Sequence, residues 1–282
     1  MKLFEVITGR SVSLAARALG GLVLLTGIAF PQSAFPKIPG VWLSGETQHR
    51  LTGARVEQLT QSLRRITGLN ELHFAEDGSL VTGAAHSTSM NEEGTAEGSA
   101  TARQILSCSL SSGFVFIIED HSDSPSVNFG QLNEGLRYED AITGSRLMVW
   151  RIRLDFNDFL HVEASREVRA SFDVGFTTLH ELLHGLGYKD AANLSELGDC
   201  EELVNRARAE LGLPLRDQYF GDTLHLAQNF VTVRLRFRGN VPRTPAHSAR
   251  GRAQYLIFTV QSGYEQPATP AGMAVFDCAK KR

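Results

Sequence analysis

Apolar residues at Val56, Leu59, Leu63 and Ile66 recur every three or four positions, which puts them on one helical face that Gly68 closes. The next stretch, ELHFAEDGSLVTG (71–83), alternates about Asp77-Gly78 and predicts a β-hairpin. Residues 83–100 are small and polar and read as a loop. ARQILSCSL (102–110) predicts a short helix, FVFIIED (114–120) a buried strand, and 121–145 mostly loop. In RLMVWRIRLDF (146–156) Leu147, Val149, Ile152 and Leu154 mark an apolar run with arginines between. That pattern predicts a strand with one solvated side, and the arginines place it at a sheet edge. A helix beginning near Ser171 turns Phe176, Leu179, Leu182, Leu183 and Leu186 into the core. Another covers 200–211 and stops at Gly212 and Pro214. The tail predicts strands at 230–239, 253–261 and 274–278. Helices and strands mix without strict alternation or internal repeat, so the expected fold class is α+β.

The N-terminus follows a different pattern. Lys2, Arg10 and Arg17 precede an uncharged run, ALGGLVLLTGIAF (18–30), and Pro31 ends it. The run is short for a bilayer span and suits the apolar core of a secretory signal. Residues 1–34 are therefore expected to be a signal peptide, cleaved after Ala29 or Ala34, or an N-terminal anchor. Residues 35–50, punctuated by Pro and Gly, read as a linker into a domain at 51–282. The expected location is secreted or periplasmic, with membrane attachment only where the N-terminal segment stays uncleaved. The three cysteines, Cys108, Cys200 and Cys278, then imply one disulfide and one leftover thiol, with Cys200–Cys278 the favoured pair. A formal charge of −3 on 282 residues gives no electrostatic basis for a nucleic-acid partner.

The chemistry concentrates in TTLHELLHGLGYKD (177–190). On a helix, His180 and His184 lie one turn apart on one face, at the spacing that brings two imidazoles to a single metal ion. Glu181 sits about 100° further round, beside such an ion without being a ligand, where a carboxylate can move protons. Gly187 stands where the helix must end and turn, which swings Asp190 back toward the histidines. Two imidazoles, one carboxylate and an open position describe a catalytic zinc site rather than a structural one. The plainer alternative is a solvated amphipathic helix that carries these residues by chance. The remaining histidines have no metal spacing among themselves.

The segment resembles the zinc signature of zincin metallopeptidases, in the elongated H-E-x-x-H-x-x-G-x-x-H/D form of the metzincin branch. The resemblance spans fourteen residues. It implies the active-site core rather than the whole fold, with His180, His184 and Asp190 as zinc ligands and Glu181 as catalytic base; the expected architecture is a zincin-like mixed sheet with a central motif helix and C-terminal β-strands. Metzincins also carry a Met-turn beneath the metal, and the Met that follows the motif here is Met273, far down the chain. A second stretch, CEELVNRARAELGLPLRDQYF (200–220), is similar to a segment of bacterial secreted and toxin-type metallopeptidases, E-N-x-x-R-x-E-x-G-L-P-x-R-x-x-Y. There a Glu after the motif can be the third ligand. Val204 occupies that position here, which leaves Glu201 or Glu202 as alternatives to Asp190. Arg216, Tyr219 and His225 are the candidates to face an oxyanion. The resulting expectation is an exported metalloendopeptidase using one zinc ion, with a peptide or protein substrate pairing along the 146–156 strand. Its rivals are a non-catalytic envelope or binding protein on the same scaffold, and an effector that cuts one partner protein.

Overall fold

A computed structural model describes residues 38–83, 97–139, 144, 146–191, 193, 196–227, 230–239 and 253–261. The expected signal or anchor, the loop at 84–96 and the strand at 274–278 lie outside them. In chain order the elements are β1 (Gly40–Leu43), α1 (Gly53–Thr67), β2 (His73–Phe74), β3 (Leu80–Val81), α2 (Ala100–Ser111), β4 (Val115–Asp120), β5 (Gly130–Glu139) and β6 (Arg146–Leu154). There follow β7 (Glu163–Ala164), α3 (Arg166–Ser171), α4 (Val174–Gly185), α5 (Gly198–Glu210), β8 (Leu215–Arg216), β9 (Asp222–Ala227), β10 (Phe230–Arg238) and β11 (Ala253–Gln261). The fold is α+β.

The first sheet runs β1-β4-β6-β5, with β1, β4 and β6 parallel and β5 antiparallel at one edge. Side chains alternate across it as a pleat requires. Phe116, Ile118, Trp150, Ile152 and Leu154 face a core shared with Leu59 and Leu63 of α1, Leu106 of α2 and Leu179 and Leu182 of α4. Val115, Ile117 and Val149 cluster separately, as residues of opposite parity must. The second sheet is antiparallel, β7-β11-β10-β8 with β9 also on β10, and packs Leu235, Phe237 and Leu256 against Val168 and Phe172.

Besides α3 and β7–β9, for which the pattern gave no element, and a start of α4 at Val174 rather than near Ser171, the structure departs from the pattern reading in four places. First, β6 is not an edge strand: it lies between β4 and β5. Its Arg151 and Arg153 are matched by the buried carboxylate of Glu119 across the strand pair, and Arg151 also by Glu46 at 2.9 Å, so they need no solvated edge. Second, residues 130–139, within the expected loop, form the edge strand β5; among its described side chains Leu132 is the one buried apolar residue, too little to make alternation visible. Third, residues 40–43 of the expected linker form β1, paired in parallel with β4. Fourth, Cys108 is disulfide-bonded and Cys200 is a buried free thiol, so the Cys200–Cys278 pairing is not made. The α1 helix, closed by Gly68, and the β2–β3 hairpin form as the pattern predicts.

Candidate metal centre

Asp173 opens α4 by accepting hydrogen bonds from the backbone N–H groups of Gly175 and Phe176, both at 3.1 Å. Phe176, Leu179, Leu182 and Leu183 bury one side of the helix and thereby fix its rotation. The C-terminus is a Schellman turn: Tyr188 N–H donates to Leu183 O at 3.1 Å and Gly187 N–H to His184 O at 2.9 Å. Gly187 holds φ at 95°, a left-handed value that glycine adopts without the Cβ penalty other residues meet. Tyr188 packs against the core from inside this turn. The chain then doubles back, and Asp190 forms a β-bridge with Gly198 while Cys200 N–H donates to Lys189 O at 3.2 Å. A side chain at Gly198 would put its Cβ 2.2 Å from Ala191 N, so only glycine lets α5 start this close to Asp190.

Three side chains converge. The Nε2 atoms of His180 and His184 are 3.1 Å apart; Asp190 Oδ1 lies 3.1 Å from the first and Oδ2 3.1 Å from the second. Zinc bonds of about 2.0–2.1 Å at a tetrahedral angle put neighbouring donors roughly 3.3 Å apart, so the spacing suits one small cation. The outer ring nitrogens also have partners. His184 Nδ1 meets Tyr188 O at 3.2 Å and Cys200 Sγ at 3.4 Å, and His180 Nδ1 meets Glu201 Oε2 at 3.4 Å. Partners at Nδ1 turn both Nε2 atoms toward the shared point. His180, His184, Asp190 and Cys200 together offer ligand atoms within 4.8 Å of one another, a buried group able to hold a metal ion.

The electrostatics favour positive charge at this point. Burial works against a charged His180 ring, but the Asp190 and Glu201 carboxylates outweigh it and push its pKa up to about 10. Burial would raise Asp190, yet hydrogen bonds from His180 and His184 hold its carboxyl far below the ordinary range. Glu201 is likewise held low against burial, by Arg208 and Arg216. Burial pushes the Cys200 thiol well up, reinforced by the surrounding carboxylates.

Glu181 is buried, and its carboxyl is raised by desolvation, partly offset by the two histidines. A Cβ at Gly130, the first residue of β5, would lie 3.4 Å from Glu181 Oε1, so the edge strand starts beside this carboxylate. Glu181, His180, Asp190 and Tyr219 line a cavity of about 380 Å³ with Phe129, Phe172, Phe220, Val233, Leu235 and Phe258. That volume is in the range that holds a small ligand or a side chain.

Of the alternatives for the third carboxylate, Glu202 is exposed and Glu201 faces His180 Nδ1 rather than the shared point. Tyr219 OH donates to Asp190 Oδ2 at 2.6 Å, and its ring stacks on His180 with centroids 5.9 Å apart. Arg216 is engaged by Glu201 at 3.2 Å and by Gln218 O and Tyr219 O. The side chain of His225 lies outside the described residues. Sequence reasoning missed Cys200, whose distance of sixteen residues from His184 matches no ligand pattern. No family model, curated protein or solved structure matches the chain.

Proposed function

We propose that the chain is an exported zinc metalloendopeptidase with a zincin-like catalytic domain. The observation that carries this reading is the convergence of His180 Nε2, His184 Nε2 and the Asp190 carboxylate at mutual distances of 3.1 Å, with Glu181 buried beside them. His180, His184 and Asp190 would hold the ion, leaving a fourth position open to the cavity. When bound, zinc supplies Lewis acidity, polarising a peptide carbonyl and making water acidic enough to attack at neutral pH. Glu181 is positioned to take a proton and return it to the departing amine; a carboxyl raised by burial is better matched to that exchange than a solvated one. An extended peptide finds its pairing surface on β5, the antiparallel edge strand whose first residue, Gly130, lies beside Glu181, and not on the interior strand β6. Fixing the peptide there brings its backbone past the site without a large entropic loss at the reacting bond.

A second reading has its own observation. Cys200 Sγ belongs to the same group of ligand atoms, and four protein ligands would close the site and make it structural. The open reading is favoured because Sγ faces His184 Nδ1 at 3.4 Å, whereas the shared point lies at Nε2.

The test is hydrolysis of a library of unstructured peptides by wild type, chelated wild type and Glu181→Gln. Chelation is expected to stop cleavage and zinc to restore it. Glu181→Gln should keep zinc and lose about 10²–10⁴-fold in turnover. Undiminished turnover in that variant would remove Glu181 from the chemistry.

A further inference from the structure

Glu201 stands in the first turn of α5, where an acid is normally solvated, yet it is 1 % exposed. A buried carboxylate must be matched by charge and hydrogen bonds. Its Oε1 accepts from Arg208 Nη1, itself 2 % exposed, which also donates to Asn205 Oδ1 at 2.9 Å. Arg208 Nε donates to Ser171 O at 2.7 Å, tying the pair to the end of α3. The other oxygen, Oε2, faces His180 Nδ1 at 3.4 Å and Arg216 Nη1 at 3.2 Å. Arg216 then donates from Nε to Gln218 O at 3.2 Å and from Nη2 to Tyr219 O. Its guanidinium sits 5.0 Å from the Tyr219 ring centroid. That turn delivers Tyr219 to both candidate ligands: its ring stacks on His180 and its hydroxyl donates to Asp190 Oδ2 at 2.6 Å.

We infer that Glu201 is a positioning residue that sets two of the three metal ligands at once, His180 directly and Asp190 through Arg216 and Tyr219. The inference rests on the metal reading of the site. A buried ion cluster of this kind contributes little net stability compared with apolar packing of equal volume. Here it supplies orientation: two arginines fix one carboxylate, and that carboxylate fixes a ring and a turn. Arg216 therefore acts inside the support of the site and not as a free oxyanion donor.

The experiment measures zinc affinity by competition with a chromophoric chelator, together with the cobalt(II) absorption spectrum. It compares wild type, Glu201→Gln, Tyr219→Phe and the double variant, each with its urea midpoint. Both single variants should bind zinc about 10- to 100-fold more weakly and shift the cobalt bands. The double variant should lose less than the product of the single losses, because part of each acts through the same path. A purely structural Glu201 would lower the urea midpoint while leaving the folded protein's zinc affinity and cobalt spectrum at wild-type values; that result overturns the inference. A fully multiplicative double variant overturns the Tyr219 branch. Should Glu201→Gln fail to fold, Arg216→Lys replaces it: this change keeps the charge but loses the fork to Gln218 O and Tyr219 O. Its zinc loss must be present and must shrink in the Tyr219→Phe background, and an unchanged affinity overturns the inference. Wild type that binds neither zinc nor cobalt removes the metal reading itself, whereas tight wild-type binding with unaffected variants removes only the role of Glu201.

Discussion

At the residue scale, the two histidines have near-identical surroundings on the inner side and different ones on the outer. His180 leans on a carboxylate that two arginines hold, His184 on a backbone carbonyl and a thiol. Removing either ring leaves two donors, one short of what the site gathers. His180→Ala and His184→Ala are each expected to lose stoichiometric zinc on dialysis while Glu181→Gln keeps it, as read by elemental analysis; zinc retained in either alanine variant would contradict the ligand assignment. His180, Glu181 and His184 were legible in the sequence because their relation needs only helical geometry. Asp190 was legible one step further, through the turn at Gly187. Glu201 was not: a first-turn acid reads as solvated and favoured by the helix dipole. Its burial is decided by Arg208 and by Arg216, which arrives from β8. Cys200 likewise reaches His184 only once Asp190 and Gly198 have bridged.

At the scale of elements, α4 depends on its first turn. Asp173 caps two backbone N–H groups, accepts from Ser62 Oγ at 2.5 Å and pairs with Arg65 at 2.7 Å, fastening α4 to α1. Asp173→Ala should destabilise the fold by about 1–2 kcal/mol in urea unfolding, and a loss below a few tenths would show that the cap is dispensable. Helices α1, α2, α4 and α5 and the Asp-Gly hairpin were legible because their signals are local, whereas the six-residue α3 was too short to show a period. Edge and interior strands were exchanged because that distinction is not local. The arginines of β6 suggested solvent, but their partner Glu119 sits on another strand, where only the parallel pairing of β4 and β6 brings it opposite. The real edge, β5, hid in a segment whose polar residues need no burial.

At the scale of the whole molecule, no helix among the described residues is long and apolar enough to cross a membrane, and the site lies where the helical layer meets the second sheet. The junction also carries a titrating group away from the centre. Asp158, whose Oδ2 accepts from Asn128 N–H at 2.5 Å, is raised to about 6, chiefly by burial and also by the charge of Asp155. A folded-state pKa above the unfolded one, about 3.9, gives stability that is complete below the unfolded value and lost as pH rises through the folded one. Asp158→Asn should therefore gain on wild type between pH 4 and pH 7 in urea midpoint. A difference that is flat with pH would show that Asp158 titrates normally.

Zinc K-edge X-ray absorption on the purified protein distinguishes an open, three-ligand zinc site from a closed one. One zinc per chain is expected, with nitrogen and oxygen neighbours at about 2.0–2.1 Å and no sulfur. A sulfur shell at about 2.3 Å would bring Cys200 into the coordination sphere and close the site. That result, or protein purified and zinc-dialysed with no bound metal, would contradict a catalytic centre here.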